Sequence, residues 1–243
     1  MISALRKIRK KLLDQNRARR YFFYAIGEIV LVVIGILLAL QINTWNKEKQ
    51  NKAHEIATLK NLIEDLEIQR ELIQEQIDFE HVIIKQVDSA KTFISDDANK
   101  SELQRLFSEL AGRHTFKANR ATFNNMIASG SINLITNEDL QSSIIRYFQR
   151  LDYVESVVNN NNLYMMDSNF GLFVANNGLG LEVDENLEII SNKIFSSLQK
   201  ATILSQLDYR YSSSDSIKTL NETLLEITNK LIAEIESYLE QFY

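Results

Sequence analysis

The sequence predicts an all-α protein: a single N-terminal transmembrane helix that continues into a helical stalk and an antiparallel helical bundle. Three observations carry that expectation. The 243 residues include no proline and only seven glycines, so few positions are built to stop a helix. Apolar residues make up 45% of the chain and recur at steps of three and four over long stretches, the period of a buried helical face. Residues 21–45 carry Glu28 as their lone formal charge. The expected divisions are a basic amphipathic segment at 1–20, the span at 21–45, the stalk and first bundle helix at 46–94, and the rest of the bundle at 95–243.

The span comes first. At 1.5 Å per residue its helix reaches about 37 Å, enough to cross a hydrocarbon core of about 30 Å. Tyr21 and Tyr24 mark one interface and Trp45 the other, where amphipathic rings settle at headgroup depth. The apolar run passes into Gln41-Ile42-Asn43-Thr44-Trp45 without the small-residue cleavage site of a signal peptide, so an uncleaved anchor is expected. Ahead of it stand Arg6, Lys7, Arg9, Lys10, Lys11, Arg17, Arg19 and Arg20 against Asp14. Fewer cations follow, which puts the amino terminus in the cytoplasm by the positive-inside rule. Ile2, Leu5, Ile8, Leu12 and Leu13 recur among those cations, as in a helix lying on the lipid surface.

Beyond the span, 19 basic and 30 acidic residues leave a net charge of −11. Such a body repels nucleic acid and anionic headgroups. The absence of cysteine suits an oxidising compartment without requiring one.

The outer helices are read from their seams. From Ile56 the heptad positions are Ile56, Leu59, Ile63, Leu66, Arg70, Ile73, Ile77, Glu80, Ile84 and Val87, with a second stripe at Ile68, Leu72, Phe79 and Val82. Ser95–Asn99 reads as a turn, Ser101 with Gln104 as a capping box, and 113–119 as loop. A short helix spans 121–129 and stops at Gly130, and Ile132, Leu134 and Ile135 form an apolar plug. Asn137 caps a long helix, with Glu138 and Asp139 in its first turn. Its seam reads Leu140, Ile144, Tyr147, Leu151, Val154, Val158, Asn161, Met165, Ser168, Leu172 and Ala175. Asp184 caps a further helix through Leu204. Ser212–Ser216 breaks it and caps a final one with Ile217, Leu220, Leu224, Ile227, Leu231 and Tyr238 on its seam.

The run Gly27–Asn46 (GEIVLVVIGILLALQINTWN) resembles the hallmark of an uncharacterised Bacteroidota family, a domain of unknown function. Ser129-Gly130, Leu134-Ile135 and Asn137 leading into a helix with Tyr147 resemble it too. The resemblance implies a single-pass inner-membrane protein of a Gram-negative bacterium with a helical periplasmic domain. It brings no activity with it.

Candidate chemistry is sparse. Glu28 is an intramembrane carboxylate, costly unless it snorkels, pairs with another helix, or handles a proton or cation. Gly35 and Ala39 share its face at small-xxx-small spacing, which permits close helix–helix packing. Asn161 and Ser168 on the bundle seam either fix register or line a polar site. His54, His81 and His114 match no ligand spacing, and Ser129-Gly130-Ser131 lacks a nucleophile-elbow frame. No catalytic residue, metal or cofactor is assigned. The expectation is a non-enzymatic membrane-anchored scaffold or sensor, acting as a homo-oligomer or as a subunit beside an unidentified partner. The alternatives are an oligomeric proton or cation conductor using Glu28, and a periplasmic small-molecule receptor. Membrane lipid is an expected partner and nucleic acid is not.

Overall fold

The computed structural model describes residues 17–95, 100–180 and 196–242. They form an all-α fold, with no strand among the described residues. In order come α1 (Arg17–Ser95), α2 (Lys100–Leu110), α3 (Ala121–Ser129), a 3-10 turn (Ser131–Leu134) and α4 (Glu138–Asn160). A π-helical segment (Asn161–Phe170), α5 (Gly171–Asn176) and α6 (Ser197–Glu240) follow. Contacts divide the chain into residues 1–54 and residues 55–243. α1 contributes its first part to one unit and its second part to the other.

In the first unit the described helix is exposed from Phe22 through Gln50. Its mean hydropathy reaches 2.6 over an 18-residue window, and it is the one helix among the described residues long and apolar enough to cross a membrane. Tyr24 and Trp45 are exposed. The Tyr21 side chain and the basic segment up to residue 16 lie outside the described residues.

The second unit is a bundle of four passes. Polar contacts give the directions: α1 runs antiparallel to α6 through the Glu55–Tyr238 hydrogen bond and the Glu80–Arg210 ion pair, and α4 with the π segment runs antiparallel to α6 through the Tyr147–Thr228 and Asn161–Ser213 hydrogen bonds. The second pass is the unusual one. It descends from α2 to the 3-10 turn, and its middle, 112–120, is an extended strap without helical bonds. Such backbone must find partners elsewhere. Gln69 accepts from Asn119 N–H (2.7 Å), Asp65 from Thr122 N–H (2.6 Å) and Glu155 from Ala118 N–H (3.2 Å). Asn159 and Asn162 donate to the carbonyls of Phe116 (3.1 Å) and His114 (2.8 Å). The asparagine run 159–162 is thus a clamp for the strap.

Several local signals act as read. Asn137 Oδ1 accepts from Leu140 N–H at 3.0 Å. Gly130 adopts φ +73° and ends α3. Ile132 and Ile135 are buried as a plug. After α5, Leu179 N–H reaches Val174 O (2.9 Å), and Gly178 N–H, at φ +63°, reaches Ala175 O (3.1 Å). That pair of bonds is a Schellman stop.

Four expectations are corrected. The α1 seam is Glu55, Leu59, Leu62, Leu66, Gln69, Ile73, Gln76, Glu80, Ile83 and Val87. Expected positions 56, 63, 70 and 84 give way to 55, 62, 69 and 83, while Ile77 is buried as expected with Gln76 beside it. Glu55, Gln69 and Gln76 take buried places because they have distant partners, and Ile56, Ile63 and Ile84 are only half-buried. The α6 seam shifts likewise, to Asn221 and Thr228 in place of Leu220 and Ile227. Ser212–Ser216 does not break a helix: α6 runs through it, with Ser216 Oγ donating to Ser212 O (2.8 Å) and Ser214 buried against Arg210. Finally, α6 starts after Ser196, which forms a capping box with Gln199. Asp184, Leu187, Ile190 and Ile194 lie outside the described residues, as do positions 96–99 of the expected turn and the Ser101 side chain.

The third pass, α4 with the π segment, shows a further shift. Beyond Val158 the buried positions are Asn162, Met166, Phe170 and Val174, each four residues on. Ser168 Oγ donates to Leu163 O, five residues back (2.8 Å). The π winding carries more residues per turn, so the heptad register read from Leu140 fails here.

Candidate functional site: a polar layer between two apolar cores

The bundle has two hydrophobic clusters. One contains Leu59–Ile77 of α1, Leu140–Val158 of α4 and Ile217–Leu239 of α6. The other contains Ile83–Ile94, Leu103–Leu110 of α2, Met166–Leu179, and Ile203 with Leu207. Between them three of the four passes contribute buried polar residues: Gln76 and Glu80 from α1, Asn162 from the π segment, Arg210 and Ser214 from α6. These are 0 to 9% exposed.

The layer is one connected network. His114 Nδ1 lies 2.9 Å from Gln76 Oε1, and Gln76 Nε2 donates to Glu80 Oε1 at 2.9 Å. Arg210 Nη1 stands 3.8 Å from Glu80 Oε2. The guanidinium donates from Nε to Leu110 O (3.0 Å), from Nη2 to Gly112 O (3.2 Å) and from Nη1 to Ser214 Oγ (2.7 Å). Arg210 therefore ties the last carbonyls of α2 and the start of the strap to α6, satisfying groups that a helix end leaves open. Burial pulls Arg210 down to about 10, with Glu80 opposing. Burial pushes the Glu80 carboxyl up, against the lowering effects of Ser214, Arg210 and Gln76.

A second rung lies at the other end. Glu55, 2% exposed, accepts at Oε1 from Tyr238 OH (2.6 Å) and Thr136 N–H (3.1 Å), while Thr136 Oγ1 and Tyr238 OH sit 2.8 Å apart. Between the two, Tyr147 OH meets Thr228 Oγ1 at 3.0 Å, and burial pushes that phenol up to about 12.

The anticipated bundle residues fall beside this layer. Asn161 Oδ1 accepts from Ser213 Oγ at 2.6 Å, at the edge, and Ser168 is exposed. The buried polar residue of this stretch is Asn162. Glu80 stands on the expected α1 seam, where it is buried, and Arg210 is on no expected seam. A guide was present in the constant three-four spacing of 203, 207, 210, 214 and 217. In the other unit, Glu28 is exposed on α1, and a Cβ placed on Gly35 would meet nothing within 4 Å. Among the described residues no group of three His, Cys, Asp or Glu side chains could hold a metal.

These features define a class: an all-α chain with, among the described residues, one helix fit to cross a membrane and a bundle keyed by buried polar layers. The chain belongs to the family of unknown function DUF6090, whose model matches residues 28–206. That match covers the whole polar layer except Arg210 and Ser214. No curated protein and no solved structure matches it.

Proposed function

We propose that the protein is a non-enzymatic scaffold or sensor, anchored by a single pass in the inner membrane of a Gram-negative bacterium of the Bacteroidota. Its amino terminus lies in the cytoplasm and its bundle in the periplasm, and it acts as a homo-oligomer or as a subunit of a membrane complex. The observation that supports anchoring is the exposed apolar helix from Phe22 to Trp45. A continuous surface of that kind is far larger than a soluble monomer exposes to water. A scaffolding or sensing role is supported by the bundle's polar side chains, whose bonds join its passes to one another. The chain has no cysteine, so topology is directly measurable. In intact spheroplasts, Ser216→Cys should react with a membrane-impermeant maleimide and Ser3→Cys should react only after lysis. The reverse pattern, or recovery of the protein in the soluble fraction, refutes the placement.

A second reading is favoured by Glu28, a carboxylate on an otherwise apolar span. Several copies packed through Gly35 and Ala39 would enclose it and pass protons or cations. Flux in proteoliposomes that disappears in Glu28→Gln supports conduction, and no flux from the wild type removes it.

A further inference from the structure

Glu80 and Arg210 are an acid and a base buried side by side without a hydrogen bond between them. They are 4% and 1% exposed. At 3.8 Å the pair is held by charge alone, because the guanidinium directs its bonds to Leu110 O, Gly112 O and Ser214 Oγ. Glu80 Oε1 takes one bond from Gln76, and Oε2 is buried with no hydrogen-bond partner. An ionised oxygen in that position loses water and gains little in return. The same oxygen carrying a proton would become a donor, with the Ser214 hydroxyl as acceptor.

The surrounding charged groups are engaged elsewhere. On α1, His81 is exposed. In the strap, His114 reaches Glu80 only through Gln76, and Arg113 pairs with Asp167 of the π segment. On α2, Glu109 binds Arg105 and Gln86. On α6, Asp208 pairs with Lys91 of α1. Among the described residues Arg210 is therefore the cation facing Glu80, and His114 is the second titratable member of the network.

We propose that Glu80 is the proton acceptor of an acid-tightened clasp, which holds α1, the strap and α6 together more firmly in mild acid than at neutral pH. This inference goes beyond anchoring and is independent of it, since it uses only residues of the bundle. The direction follows from linkage. Burial raises the Glu80 carboxyl, so the folded chain holds this proton more tightly than the unfolded chain does. The resulting stabilisation is complete below the ordinary carboxylate value and is lost as pH rises through the raised one. Acidification reverses that loss. A periplasmic bundle built this way would report external acidity as a change in firmness.

The test is amide exchange of the full-length protein in detergent, corrected for intrinsic chemistry. Between about pH 8 and about pH 5.5, strap amides 113–120 of the wild type should slow by about tenfold for each unit by which the folded-state Glu80 value exceeds the lower pH. Glu80→Gln, a neutral isostere, should be slow throughout and indifferent to pH, whereas His114→Asn should keep the wild-type trend. A pH trend that survives in Glu80→Gln, or that vanishes in His114→Asn alone, overturns the proposal. Should Glu80→Gln not fold, pH-difference infrared spectroscopy of the wild type decides. Protonation of a buried carboxylate above the ordinary range supports the clasp, and its absence refutes it.

Discussion

Glu55 and Glu80 occupy the same seam of the same helix, both are buried, and their surroundings differ in kind. Glu55 meets two donors head-on at one oxygen, a phenol at 2.6 Å and a backbone amide at 3.1 Å. Glu80 takes one amide hydrogen and faces a guanidinium that is bonded to other groups. The contrast teaches that burial of a carboxylate is not one phenomenon. Direct donors make it a fastener, whereas a charge partner at a distance leaves it responsive to its protonation state.

That comparison can be broken by substitution, and the largest effect is expected at Arg210. Arg210→Met strands Glu80 and removes the bonds to Leu110 O, Gly112 O and Ser214. A loss of about 3–5 kcal/mol is expected in chemical denaturation, and a loss under about 1 kcal/mol would mean the layer contributes little. Tyr238→Phe tests the other rung: removing its hydroxyl takes a charge-assisted bond from Glu55, for about 1.5–3 kcal/mol. The smallest effects carry the sharpest contrast. At neutral pH, Glu55→Gln should destabilise by about 1 kcal/mol, whereas Glu80→Gln should be neutral or slightly stabilising because it removes an uphill ionisation. Equal effects of the two glutamines would erase the distinction. A control outside both rungs is Gly180, at φ +77°. A Cβ there would come within 2.9 Å of Ser108 N, so Gly180→Ala should destabilise by about 1–3 kcal/mol through backbone strain, whatever the pH.

Much of this architecture was legible because its signals are local. Asn137, Gly130 and the Asn176–Gly180 stop each act on backbone within a few residues, and a short window suffices to read them. Apolar seam positions such as Leu59, Leu66, Ile217 and Leu224 were legible for the same reason. What escaped was every buried polar position except Glu80, which stood on the expected seam. Gln69 is buried because Asn119 needs an acceptor, and Arg210 because Leu110 and Gly112 end a helix a hundred residues earlier. Pattern alone places such residues outside and moves the seam to the nearest isoleucine or leucine. The serine cluster misled similarly: serines that favour a helix start can also bond backward to carbonyls within a helix. The π segment defeats any fixed period, which is why Asn161 was singled out where Asn162 is buried.

The strap between α2 and α3 has one more consequence. Its backbone is held mainly by side chains of α1, α4, the π segment and α6, so severing it would melt no helical turn. A protease cutting after Lys117 would leave two pieces, one bearing α1 and α2 and the other α3 through α6, still joined across both apolar clusters. The polypeptide has in effect a built-in seam for fragment complementation, where two separately made halves could find each other and restore the whole.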